Sequence, residues 1–228
     1  MKKLSLSGML ILLSLSLLAY ATQTDQTQSS VPNVLKRQVT VSDSERPTAH
    51  SAFLESLVNA RVPGGIVTIL NCGNRQGGQQ THLSSGTLKK TLDAIVKANP
   101  EYRWQVDDGI INLLVTHGKP ELLDVQISKL KVDNAASIEA VADSLFALPE
   151  VKDAIAKLQL APGVHFIVKP ISLNPERKPT YSIECENMTV REALNAIVRT
   201  HGRSVWEYKE QRCDGKTEYT LQFIAQWL

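Results

Sequence analysis

Apolar residues in this chain recur with two helical spacings that match each other. In Thr87 to Trp104, Leu88, Leu92, Ile95 and Val96 stand at i, i+4, i+7 and i+8, which is one face of an α-helix. In Thr189 to Trp206, Val190, Leu194, Ile197 and Val198 repeat the pattern at a constant offset of 102 residues. Over these eighteen positions six residues are identical, Leu92/Leu194, Ile95/Ile197 and Trp104/Trp206 among them. Thr189 with Glu192 predicts a capping box, and Thr87 caps the first copy without the acidic partner. Asn99-Pro100 and His201-Gly202 predict the helix ends. Trp104 and Trp206 then enter strands, where each is expected to lie across its helix and close a core.

The flanking segments extend the match. Phe53, Leu54, Leu57 and Val58 predict a short amphipathic helix before Pro63-Gly64 and the apolar strand Ile66 to Leu70. Ile138, Val141, Ala142, Leu145 and Phe146 predict its counterpart, with Pro149 opening a further helix before Pro162-Gly163 and the strand Val164 to Val168. Asp108-Gly109 and Asp214-Gly215 each separate two strand-like runs, a hairpin signal. Val39 to Val41 and Leu122 to Val132 supply opening strands. The expected fold is α+β: two tandem modules, 34–118 and 119–228, each a short mixed sheet packed against two helices.

The N-terminus reads as an export signal over residues 1–21: Lys2 and Lys3, an apolar run from Met9 to Leu18, then Ala19-Tyr20-Ala21. The apolar stretch is short for a bilayer span, and a Thr/Gln/Ser-rich tether follows over 22–33. Composition changes meaning with this leader. The full chain of 228 residues carries 25 basic and 23 acidic residues; removing the leader takes Lys2 and Lys3 and no acid. The exported chain is therefore neutral, which disfavours nucleic acid and anionic lipid as partners, and 5% aromatic residues disfavours a base-stacking surface. The expected location is the periplasm.

The segment Ile183-Glu-Cys-Glu-Asn-Met-Thr-Val-Arg-Glu-Ala-Leu-Asn-Ala-Ile-Val, within Tyr181 to Phe223, resembles the secretin and TonB N-terminal short domain. That family shows a strand, a helix opening "(T/S)-hydrophobic-x-x-A-L", then two strands. Gly86 to Val115 resembles it less closely, with Thr91 where the family usually has Ala. The resemblance implies a periplasmic module that works by protein contacts. The family's modules sit on secretion pores and siderophore receptors, and this chain lacks the barrel or pore region of either.

Chemistry is sparse. His50, His82, His117, His165 and His201 show no zinc spacing, Asn71 to Gln80 lacks a phosphate-loop ending, and Ser84-Ser85-Gly86 is no nucleophile elbow. Asp107-Asp108 is accounted for by a hairpin turn, and Glu184 and Glu186 are expected on the solvent face of a strand around Cys185. Asn187-Met188-Thr189 matches a glycosylation acceptor whose Thr is needed as a cap. No catalytic, cofactor or metal residue is assigned. Cys72, Cys185 and Cys213 allow three pairings or three buried free thiols; the pair Cys185–Cys213 is the preferred disulfide because both fall in the second module. The expected function is a non-enzymatic protein-binding or scaffold protein of the envelope. The alternatives are a small-ligand carrier with an apolar cleft between the modules and, behind it, a hydrolase.

Overall fold

The structure is a computed structural model that describes residues 31–40, 48–73, 85–163 and 180–225. The leader, the strand expected over 164–168, His82 and His165 lie outside the described residues. The first half runs α1 (Val31–Leu35), β1 (Gln38–Val39), α2 (Ala49–Ala60), β2 (Gly64–Asn71), β3 (Gly86–Thr87), α3 (Leu88–Ala98), β4 (Tyr102–Asp107) and β5 (Ile110–Val115). A 3₁₀ turn (Glu121–Asp124) opens the second half. It continues as β6 (Gln126–Ala135), α4 (Ile138–Phe146), α5 (Pro149–Lys157), β7 (Leu160–Pro162), β8 (Tyr181–Thr189), α6 (Val190–His201), β9 (Ser204–Cys213) and β10 (Lys216–Ala225). Three expected segments shift. The tether's last residues begin α1, Leu122 and Leu123 belong to the 3₁₀ turn, and Pro162 ends a strand instead of preceding one.

Local chemistry explains most element ends. Thr87, Ser137 and Thr189 each accept a backbone N–H three residues on, and Glu192 completes the capping box on α6. Pro149 occupies the first turn of α5, where its missing N–H costs nothing. Both Asp-Gly hairpins have positive φ at both turn residues, as a two-residue turn matched to strand twist requires.

Strand order and pairing are the same in the two halves, the second carrying an additional helix, α5. β1 pairs antiparallel with β3, and β6 with β8. In the large sheet the order is β4-β5-β2-β9-β10-β7, so each half contributes an antiparallel hairpin with a parallel third strand. The halves join where β2 lies parallel to β9 over eight residue pairs, Gly64↔Val205 to Asn71↔Arg212.

This junction turns the second half over. Ile66, Ile111, Leu113 and Val205 face a cluster covered by α2 and α3, containing Leu92 and Ile95. Their strand neighbours Val67, Ile69, Ile110 and Leu114 point the other way, into a cluster that contains Leu194, Ile197 and Trp206 of α6 and β9. One face of the first half's strands is thus sealed by the second half's helix. Each half packs against the other, where two self-contained units were expected.

The two tryptophans show what the junction does. Each indole N–H donates to the side chain eleven residues earlier: Trp104 Nε1 to Asp93 Oδ1 at 3.1 Å, Trp206 Nε1 to Asn195 Oδ1 at 2.8 Å. Trp206 is fully buried, because β2 lies alongside and Gly65 leaves room; a Cβ there would overlap the ring and the Asn112 carboxamide. Trp104 stands on an outer strand, half-buried under α3 with Lys89 over its ring.

The preferred disulfide is corrected. Cys72 bonds to Cys213 (Cα–Cα 5.0 Å), and Cys185 is a buried free thiol. The junction is the reason: Asn71 is opposite Arg212, so the next residues of β2 and β9 meet, whereas Cys185 points from the β6·β8 ribbon into the core.

Two measurements check this packing. Trp206→Ala should cost about 3–5 kcal/mol in urea unfolding, the range for emptying a buried aromatic site, and Trp104→Ala less than half as much. Non-reducing peptide mapping should link Cys72 to Cys213. Because they stand 141 positions apart in the sequence, reduction should lower stability by about 2–4 kcal/mol. A Cys185–Cys213 link contradicts the junction.

Candidate functional site

The β4–β5 hairpin is where the two halves leave both a cleft and unpaired backbone. Asp107 and Ile110 flank a two-residue turn and form a bonded pair, so alternate residues of β4 bond to β5. The N–H and C=O groups of Trp104 and Val106 therefore point outward, and no described strand pairs with them. Their repeat counterparts, Trp206 and Tyr208, use the same groups to hold β2.

The opposite edge differs. Gly163 N donates to Tyr219 O at 2.7 Å, which turns its neighbour Pro162 outward from β7. Counting from the two hairpin turns, Pro162 corresponds to Ile66, whose N–H faces β9. The outer side of β7 thus lacks a donor at the position where β2 has one, a common way of blunting an edge.

A cleft of about 510 Å³ separates the β4–β5 turn from the start of α6. Val106, Asp107 and Asp108 form one wall, and Arg191, Asn195 and Arg199, spaced four apart on α6, form the other. Arg199 bridges to Asp108 across one end. Asp107 accepts from Gln105 and from Asn112 (3.2 Å), and Glu192 is held in the capping box. Arg191 also lines a smaller hollow with Arg103, Lys119, Asp124, Leu114 and Leu123 on the same face of β4. Its Nε is buried without a hydrogen-bond partner. Charged residues line both walls of the cleft.

Two buried polar networks lie nearby on β9. On one face, His50 Nε2 lies 3.1 Å from Glu207 Oε1, and Gln222 donates to the same carboxylate. Burial alone would raise the Glu207 pKa, but His50 and Gln222 outweigh it and hold the carboxyl below its usual range. On the other face, Glu210 accepts from Tyr208 Oη at 2.9 Å and from Arg212 Nη2 at 2.6 Å, and Arg212 donates on to Gly118 O. Burial and then the Glu210 charge push the Tyr208 hydroxyl up. Both networks brace β9.

The residues singled out from sequence fall into place as structure. Leu92, Ile95, Leu194, Ile197 and Trp206 are core, and Trp104 is half-buried. Glu184 and Glu186 meet Lys129 on the solvent side of the ribbon, and Lys131 joins Glu184. His117 follows β5 in a turn, and His201 stacks on Tyr181 at the end of α6. Among the described residues no group of three or more His, Cys, Asp or Glu could hold a metal, and no helix is long and apolar enough to cross a membrane. Arg103, Arg191 and Glu207 escaped sequence reading, and His50 was weighed only for metal spacing; single charged residues on strand and helix faces leave no spacing signal of their own. Comparison with protein-family models, curated proteins and solved structures finds no match.

The Glu207 network has a pH signature. Its carboxyl is depressed in the folded state, so its contribution is fully present above the usual carboxylate pKa and lost as pH falls through the lower folded value. Melting temperature should therefore drop between about pH 5 and pH 3, and less steeply in Glu207→Gln. Parallel profiles for the two proteins contradict the assignment.

Proposed function

We propose that this chain is an exported, non-enzymatic protein-binding or scaffold protein of the cell envelope, built on two modules resembling the secretin and TonB N-terminal short domain. The observation that carries this reading is the outward backbone of Trp104 and Val106 on β4. An outer strand with unpaired N–H and C=O groups is a template for a partner's strand. The leader sequence and the neutral charge of the remainder support export and a protein partner.

A photo-crosslinking amino acid at Gln105, incorporated in the producing cells, should give a discrete adduct with an envelope protein identified by mass spectrometry. The same probe at exposed Lys152 on α5 should not. No adduct from Gln105 under any growth condition, or equal adducts from both positions, contradicts the reading.

A further inference from the structure

The internal junction is a worked example of what the β4 edge is built to hold. β9 receives β2 in parallel, with Gly64 opposite Val205 and Gly65 opposite Trp206. Subtracting the repeat offset of 102 places the same two strand positions opposite Arg103 and Trp104. On β4, Arg103 lies on the same face as its partner Leu114, toward α6 and the hollow that Arg191 shares. A residue added opposite Arg103 would thus point its side chain to that face.

Charge in that hollow is net positive: Arg103, Lys119 and Arg191 line it with one carboxylate, Asp124, which Lys119 meets at 3.9 Å. In the adjoining cleft Arg199 bridges to Asp108 and Lys129 to Glu186, whereas Asp107 bonds only to the amides of Gln105 and Asn112 and Glu192 to its own helix cap. Arg103 donates to the neutral Gln105 side chain, and Arg191 Nε has no partner. Among the described residues neither arginine lies within ion-pair distance of a carboxylate, and the carboxylate that Arg191 acts on electrostatically is its chain neighbour Glu192. A second copy of this chain is a poor occupant, because its β7 edge carries Pro162 where the junction uses an N–H.

We propose that β4 binds an extended segment of a partner protein as an added parallel strand, and that an acidic side chain of that segment, opposite Arg103, is held by Arg103 and Arg191. This rests on the protein-binding reading and specifies the chemistry of the partner. Backbone bonds to Trp104 and Val106 supply strand addition, and the arginine pair selects the segment.

The test uses residues 22–228, which include every described residue, with the disulfide intact so that β2 stays in place. The probe is a fluorescein-labelled peptide of residues 62–71, the strand that already fits the equivalent edge, carrying Gly64→Glu or Gly64→Lys. By fluorescence anisotropy the Gly64→Glu peptide should bind at least tenfold more tightly. Arg103→Gln with Arg191→Gln should erase that preference without lowering the melting temperature. Val106→Pro, or N-methylation of the peptide at Ile66, should weaken both peptides at least tenfold.

Equal binding of the two peptides overturns acid selection and leaves the protein-binding reading standing. Retained binding after both Val106→Pro and peptide N-methylation overturns strand addition, as does equal affinity for free glutamate. Self-association of the chain competing with the peptide overturns the partner class. No peptide binding overturns the proposal, and the crosslink from Gln105 then decides the broader reading independently.

Discussion

The parallel ladder between β2 and β9 is the contact on which the rest of this structure depends. It joins two three-stranded sheets that have the same internal order, and it does so with one turned over. That inversion puts α2 and α3 on one face of the combined sheet and α4 and α6 on the other. Each strand near the junction is then covered on both sides, which is the environment parallel strands need. Val67 and Ile69, which would face solvent in an isolated first half, become core. The same contact buries Trp206, brings Cys72 to Cys213, and encloses the charged groups of β9.

Once the junction forms, the two outer strands follow. β4 is the repeat counterpart of β9, and β7 of β2, so the described strands of the combined sheet end in a pair of edges that match in principle. Unrestricted, such a head-to-tail pair would propagate into open assemblies. Pro162 breaks the match on one side by removing an N–H, while β4 keeps its outward groups. The chain is therefore asymmetric where its repeat would make it symmetric. The charged cleft and the two arginines without carboxylate partners lie beside the edge that stays open.

Much of this was legible from local spacing. Helical faces, caps and Asp-Gly turns are set by interactions spanning a few residues, so Thr189, Glu192, Gly109 and Gly215 announce themselves. The tie between Trp206 and Asn195 was also within reach, since Asp93 occupies the matching position before Trp104. The junction was not legible. Pairing between β2 and β9 spans 141 residues at each matched position and leaves no periodicity, because parallel strands covered on both faces read simply as apolar runs. Assuming self-contained halves then misled the cysteine pairing, since proximity in sequence stood in for proximity across strands. Arg103 and Arg191 were silent for a different reason: their meaning comes from the shared hollow into which β4 and α6 bring them.

Amide hydrogen exchange at four repeat-related positions tests the account most directly. The amides of Trp206 and Tyr208 are sealed inside the junction, so their exchange should require global unfolding. The amides of Trp104 and Val106, equivalent in sequence, should exchange orders of magnitude faster because they face outward on β4. Equal protection at the two pairs would mean that β4 is covered, and rapid exchange at Trp206 and Tyr208 would mean that the halves are not joined as described.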